Sequence, residues 1–188
     1  MLCKVLISGL IIGSLLWVGV AALATVFHTQ EEALAVAFEG ADRVEKKTHI
    51  LSAAQAEEIE RLSSSALDSR VVTIHTARKQ GEVVGYAHID VHTVRTRPEA
   101  LLIVLDPAGS VSMVKVLAFQ EPLEYMPIQK WYDLFSGRDE EDKLRVGHDV
   151  DAVTGATLTT GATTDAVRRM FAYYSTLLKP ALTESSDQ

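Results

Sequence analysis

From Val5 to Phe27 the chain carries no charged side chain, and this run limits the possible folds more than any other feature. Roughly 20 consecutive apolar residues suit a helix crossing the roughly 30 Å hydrocarbon core of a bilayer better than a helix on the surface of a soluble domain. Lys4 precedes the run, and Glu31 and Glu32 follow it. The preference of basic residues for the cytoplasmic side then puts the rest of the chain on the outer side. A cleavable export signal is an equal alternative, with Lys4 as its basic start and Ala22-Leu23-Ala24 as a small-residue cleavage site. Cys3 lies before the run, which argues against a lipoprotein signal. Both readings divide the chain into an anchor or signal at 1–28, one domain at 29–180 and a disordered tail at 181–188. They predict a bacterial inner-membrane protein with its domain on the periplasmic side, or a soluble periplasmic protein if the segment is removed.

Composition narrows the chemistry. The chain has 188 residues, 18 Lys+Arg and 25 Asp+Glu, for a formal charge of −7. It contains no basic block with which to neutralise phosphates, so a nucleic-acid partner is not expected. Its single cysteine, Cys3, leaves no intrachain disulfide, no thiolate-held iron–sulfur cluster, no thioether-bound haem and no zinc ribbon. Any redox chemistry must use a cofactor held by something other than sulfur.

Apolar spacing then sets the layout. Leu34, Val36, Ala37 and Phe38 before Gly40 predict a short entry helix, followed by a polar stretch through Lys47. Ser52 with Gln55 has the form of a capping box, and Ala53, Ala56, Ile59, Leu62 and Ala66 follow at helical spacing. Strand texture follows at 71–77, 83–94, 101–105 and 111–119, with a hairpin turn at Lys79-Gln80-Gly81-Glu82 and another turn at Asp106-Pro107-Ala108-Gly109. A short helix is predicted over Ile128 to Phe135, closed by Ser136-Gly137. The charged segment from Arg138 to Lys143 reads as a solvated loop. A last helix has its apolar stripe on Ala166, Val167, Met170, Phe171, Tyr174 and Leu177. The expected fold is α+β: an antiparallel sheet of about four or more strands packed with helices on one face, preceded by the N-terminal membrane or signal helix.

Three constellations lead nowhere. His88, Asp90 and His92 alternate on a strand, but a rise of about 3.3 Å per residue separates the two histidines too far to share one metal ion; a polar outward face is the expectation. His148 beside Asp149 resembles a base with its orienter, yet no Gly-x-Ser-x-Gly elbow supplies a nucleophile. The stretch from Gly155 to Thr163 lacks the lysine of a nucleotide-hydrolase phosphate loop.

The segment Asp151-Ala152-Val153-Thr154-Gly155-Ala156-Thr157-Leu158-Thr159-Thr160 concentrates small hydroxyl residues at the entry to the last helix. Thr159, Thr160 and Thr163 are candidate N-caps, and a helix start of this kind is either an ordinary threonine cap or an anion site. Asp151-x-x-Thr154-Gly155-Ala156-Thr157 resembles the flavinylation motif of the FMN-binding domain found in the G subunit of the Rnf electron-transport complex and the C subunit of the sodium-pumping NADH:quinone oxidoreductase. The resemblance covers roughly Glu31 to Leu178, with looser likeness at Pro107, Gly109, Phe119-Gln120-Glu121-Pro122 and Gly147.

It implies FMN attached as a phosphoester to Thr157 by a FAD:protein FMN transferase, with Asp151 recognised by that enzyme. Thr154, Gly155, Ala156, Leu158, Thr159 and Thr160 would surround the cofactor. Gly-Ala-Thr recurs at Gly161 to Thr163, but only Thr157 has an aspartate six residues before it. Tyr86, Phe119, Tyr125, Trp131 and Tyr132 could stack on the flavin ring, although aromatics at such spacing usually pack in a core; Glu121 and Tyr125 are the candidate ring contacts. The implied role is a membrane-associated electron carrier that exchanges electrons with membrane redox partners and turns over no substrate alone. The alternative is an exported flavin-binding sensor or scaffold without electron flux of its own.

Overall fold

The computed structural model describes residues 25–179. The expected membrane or signal helix, apart from its last residues, and the expected tail from 181 lie outside them. Among the described residues no helix is long and apolar enough to cross a membrane. The elements are β1 (Thr25–Val26), α1 (Gln30–Ala37), β2 (Arg43–Ile50), α2 (Ala53–Ser63), β3 (Val71–Lys79), β4 (Glu82–Thr93), β5 (Pro98–Leu105), β6 (Val111–Phe119), α3 (Gln129–Tyr132) and α4 (Thr157–Tyr173). A 3₁₀ turn spans Leu123–Tyr125, a second spans Asp133–Phe135, and α4 runs on into a π-helical turn at Tyr174–Leu178. The strands form one antiparallel sheet in the order β1-β6-β5-β4-β3-β2.

Local chemistry explains the element ends. Both Thr29 with Glu32 and Ser52 with Gln55 close complete capping boxes, so α1 and α2 each start where a side-chain oxygen satisfies an orphan amide. The β3–β4 hairpin turns at Gln80 and Gly81, both at positive φ (52° and 87°), which matches the twist of the flanking strands. Gly109 is required twice over: it sits at φ 95°, and a Cβ there would lie 2.5 Å from the Tyr174 ring. That ring packs on the turn while its hydroxyl donates to the Pro107 carbonyl at 3.1 Å.

The six strands agree with the expected antiparallel sheet of four or more, β1 and β2 being the two that the strand texture did not mark. Three other expectations are corrected. The polar stretch through Lys47 belongs to β2, an edge strand whose Arg43, Lys46 and Lys47 are exposed; charged residues are normal there because they discourage edge-to-edge pairing. Both faces of the sheet are covered. Leu101, Ile103 and Leu105 of β5 face α2 and α4, while Leu102 and Val104 face Ala33, Leu34 and Phe38 around α1. Burial on two sides is why Leu101 to Leu105 is a continuous apolar run rather than an alternating one.

The third correction concerns the His88, Asp90 and His92 face, which points inward. Asp90 and His92 are buried because α4 lies over them and supplies a partner. Arg169 donates from Nε to Asp90 Oδ2 (3.0 Å) and from Nη2 to Asp90 Oδ1 (2.8 Å), with Nη1 on Ser65 Oγ (3.3 Å). His92 joins Nδ1 to Asp90 Oδ1 (2.8 Å) and Nε2 to Glu99 Oε2 (3.2 Å). Glu99, fully buried, also accepts from the Tyr132 hydroxyl at 3.4 Å. Among the described residues no group of three or more candidate ligands could hold a metal ion.

Charges in this network are mutually held. Burial opposes ionisation of Asp90, but hydrogen bonds from His92 and Arg169 outweigh it and keep its pKa well below the usual carboxylate range. Burial likewise opposes charge on His92, and its bonds to Asp90 and Glu99 overcome that and raise its pKa to about 9. His88, whose Nδ1 donates to the Thr73 carbonyl at 2.9 Å, is shifted the other way by burial, as is His75. The signs follow from linkage. The His92 contribution is complete below the unfolded value of about 6.5 and is lost as pH rises through about 9. The His88 and His75 contributions are complete above about 6.5 and are lost as pH falls below it. Asp90 adds stability above its unfolded value, lost only in strong acid. Urea unfolding as a function of pH should therefore give maximal stability near neutrality, with a loss on the order of 3 kcal/mol toward pH 9. His92→Gln should flatten that alkaline limb; an unchanged slope would remove His92 as its cause.

Candidate functional site

Helix α4 starts at Thr157, its N-cap is Ala156, and no side chain caps it. The expected caps Thr159, Thr160 and Thr163 are instead inside the helix and buried. Thr160 donates its hydroxyl to the Thr157 carbonyl at 2.9 Å, and Thr164 does the same to the Thr160 carbonyl at 2.7 Å. A hydroxyl bonded back to its own helix needs no outside partner, which is how a threonine-rich segment can form the buried face of a helix. The first turn keeps amide groups directed out of the helix end, with the positive end of the helix dipole behind them.

The approach to this helix is held at two points. Trp131 of α3 donates from Nε1 to the Asp151 carbonyl at 2.7 Å, fixing the chain just before the turn. Gly155 then takes φ 86°, a backbone state other residues rarely adopt, and the Ala156 amide donates to the Val153 carbonyl at 3.0 Å. Inside the helix, Thr159 donates its hydroxyl to the Tyr125 carbonyl at 2.6 Å, tying α4 to the loop after β6. These contacts place residues 155–159 against that loop and leave a cavity of about 150 Å³ between them.

Gly155, Ala156, Thr157, Leu158 and Thr159 form one wall of this cavity, and Glu121, Tyr125, Val94 and Arg95 the other. Seven of the sequence-derived site residues thus meet there. Thr157 is exposed on the rim, and Leu158 beside it is 56% exposed. Asp151 and Thr154 are exposed before the helix but do not line the cavity, and Thr160 is fully buried beneath it. Glu121 Oε1 accepts from the Thr96 amide (2.7 Å), the Arg97 amide (2.9 Å) and the Thr96 hydroxyl (3.1 Å). The Thr96 amide and its companions hold the Glu121 carboxyl below its ordinary pKa.

Of the five aromatics considered for stacking, Tyr86, Phe119, Trp131 and Tyr132 are buried in the core, and Tyr125 alone reaches the cavity. The Arg95 guanidinium stands over the Tyr125 ring, 6.0 Å from its centroid. Val94 and Arg95 escaped the sequence reading because they sit in the β4–β5 turn, about sixty residues from the motif, with no spacing signal that joins the two. His148 and Asp149 do not form a base and orienter: the Asp149 carboxylate accepts from the Arg145 amide (3.0 Å) and Nε (3.1 Å).

The donor set suits a phosphate with an attached ring. Uncapped amides and the helix dipole answer a phosphate, a hydroxyl stands on the rim, and Tyr125, Leu158 and Val94 offer apolar surface. The cavity is below the roughly 300–1,000 Å³ of pockets that enclose a small molecule. It is large enough to enclose only part of such a ligand, so the rest would stay accessible from outside.

The family model described as the FMN-binding domain matches residues 97–172, a segment that includes the motif and all of the cavity except Val94 and Arg95. No curated protein and no solved structure matches the chain. The wall itself can be tested through the Thr159 bond. Thr159→Val keeps the shape, leaves the Tyr125 carbonyl without its partner, and should cost about 1–2 kcal/mol in urea unfolding. A change of under 0.5 kcal/mol would show that the bond does not hold the loop to α4.

Proposed function

From the match of residues 97–172 to the FMN-binding domain model, we propose that the chain is a flavoprotein of that family: an extracytoplasmic, membrane-associated electron-transfer protein with FMN joined to Thr157 as a phosphoester. The observation that carries the reading is the contrast between the two Gly-Ala-Thr copies. Thr157 is exposed on the cavity rim at the first position of α4, whereas Thr163, six residues further along the helix, is fully buried. Only the first hydroxyl can be reached by another protein.

Attachment also explains which residues do not take part. Thr157 Oγ would take the FMN phosphoryl group from FAD, with AMP leaving and the hydroxyl proton lost to a base. Among the described residues no side chain accepts a hydrogen bond from Thr157, and a threonine hydroxyl is a weak nucleophile without one. The base, and the metal ion that assists the leaving group, therefore belong to a FAD:protein FMN transferase. Exposed Asp151 and Thr154, outside the cavity yet beside Thr157, suit recognition by that enzyme rather than contact with the cofactor.

Once attached, the phosphate would be held by the first-turn amides of α4, where the helix dipole favours its charge. Tyr125, Leu158 and Val94 present the surface for the ring. Bound FMN supplies one- and two-electron redox chemistry, and a shallow cavity leaves a ring edge open to a partner. The apolar run before Thr25 supports export and membrane attachment, and a covalent tether keeps a soluble cofactor from being lost outside the membrane.

Co-expression with a FAD:protein FMN transferase, followed by mass spectrometry of the peptide containing Thr157, tests the reading. An FMN adduct is expected on the unaltered chain and on Thr163→Ala, and none on Thr157→Ala. An unmodified Thr157 peptide would overturn covalent attachment. A flavinylated protein whose redox cycling a partner does not need would point to a sensor or scaffold.

A further inference from the structure

Arg95 is the charged cavity residue for which neither the motif nor the matched segment accounts. It belongs to the turn between β4 and β5, just outside residues 97–172, and lines the cavity together with Thr157 and Tyr125. Its guanidinium stands 6.0 Å from the centroid of the Tyr125 ring, which restricts where the charge can swing.

No carboxylate among the described residues forms an ion pair with it. The one acid of the cavity, Glu121, directs Oε1 at the Thr96 and Arg97 amides, at 2.7 and 2.9 Å, and so is committed to holding the turn that carries Arg95. A phosphate on Thr157 already has the amides and dipole of α4. The cavity is thus left with one cation, Arg95, that no acidic side chain among the described residues pairs directly, beside the space open to the rest of the ligand.

Resting on the flavin reading above, we propose that Arg95 pairs with the pyrimidine edge of the flavin ring, at N1 and the C2 carbonyl, and thereby raises its reduction potential. Oxidised FMN that takes up two electrons and one proton, the proton going to N5, becomes an anion with its charge at N1 and the C2 oxygen. A fixed cation at that edge stabilises the reduced form over the oxidised one. Arg95 can donate to both atoms at once, because a planar guanidinium presents its N–H groups as a fork. It is a positioning and potential-setting residue that needs no contact with the electron partner.

The test uses the full chain co-expressed with the transferase, as wild type, Arg95→Gln and Arg95→Lys, each checked for the Thr157 adduct and then titrated with dithionite as the source of electrons. Arg95→Gln should carry flavin but favour the reduced form about tenfold less, a fall in midpoint potential of about 30 mV for a two-electron couple. Arg95→Lys should recover most of the difference. Added salt should lower the wild-type potential toward that of Arg95→Gln, because an exposed cation is screened.

Equal potentials in flavinylated wild type and Arg95→Gln would overturn the proposal and leave the function standing. Lower flavin content in Arg95→Gln at unchanged potential would assign Arg95 to the phosphate or to the transferase, and overturn it as well. A wild-type chain without flavin would overturn both.

Discussion

The bidentate pair between Arg169 and Asp90 governs how the last helix sits on the sheet. Two parallel hydrogen bonds from a planar guanidinium fix both distance and orientation, and both side chains are nearly out of contact with water. Breaking one side of such a pair costs about 3–5 kcal/mol, because it strands a buried charge. Arg169 is twelve residues beyond Thr157 on the same helix, so the rotation that seats Arg169 over β4 also decides which threonines face the sheet. Thr160, Thr163 and Thr164 turn inward and Thr157 turns out. The cavity thus depends on a contact at the opposite end of the helix.

Around that pair a set of buried polar side chains is hydrogen-bonded in series. His92 bridges Asp90 and Glu99, and Tyr132 closes the chain on Glu99. Tyr132 sits next to Trp131, whose indole holds the Asp151 carbonyl. The network in the sheet and the anchor of the motif therefore share the short α3 segment. Rigid support under the motif and the cavity beside it are parts of one arrangement: Thr159 and Glu121 are buried and bonded in the cavity wall, while Thr157, Leu158 and Arg95 on the same cavity are exposed.

Much of the framework could be read from residue spacing. The capping box at Ser52 and Gln55, the hairpin at Gln80-Gly81 and the apolar stripe of α4 each depend on contacts within a few residues, so local pattern identifies them. The strand β2 could not be read, because an edge strand bearing Arg43, Lys46 and Lys47 has no hydrophobic alternation to detect. The inward face of β4 was misread for a related reason. Histidine and aspartate on a strand read as solvent-facing until a partner is supplied, and Arg169 is 79 residues away from Asp90.

The candidate site divides along the same line. By itself the sequence determined the motif, the glycine that lets the chain turn into α4, the distinction of Thr157 by the aspartate before it, and the resemblance that points to FMN. Tertiary structure decided that Thr157 is exposed while Thr163 is buried, that Tyr125 rather than four other aromatics reaches the cavity, and that Arg95 comes from a distant turn to complete it. The physical reason is range. Backbone preferences and capping act between neighbours and are written in local order, whereas burial, ion pairing and the closing of a cavity depend on which surfaces the sheet and helices bring together.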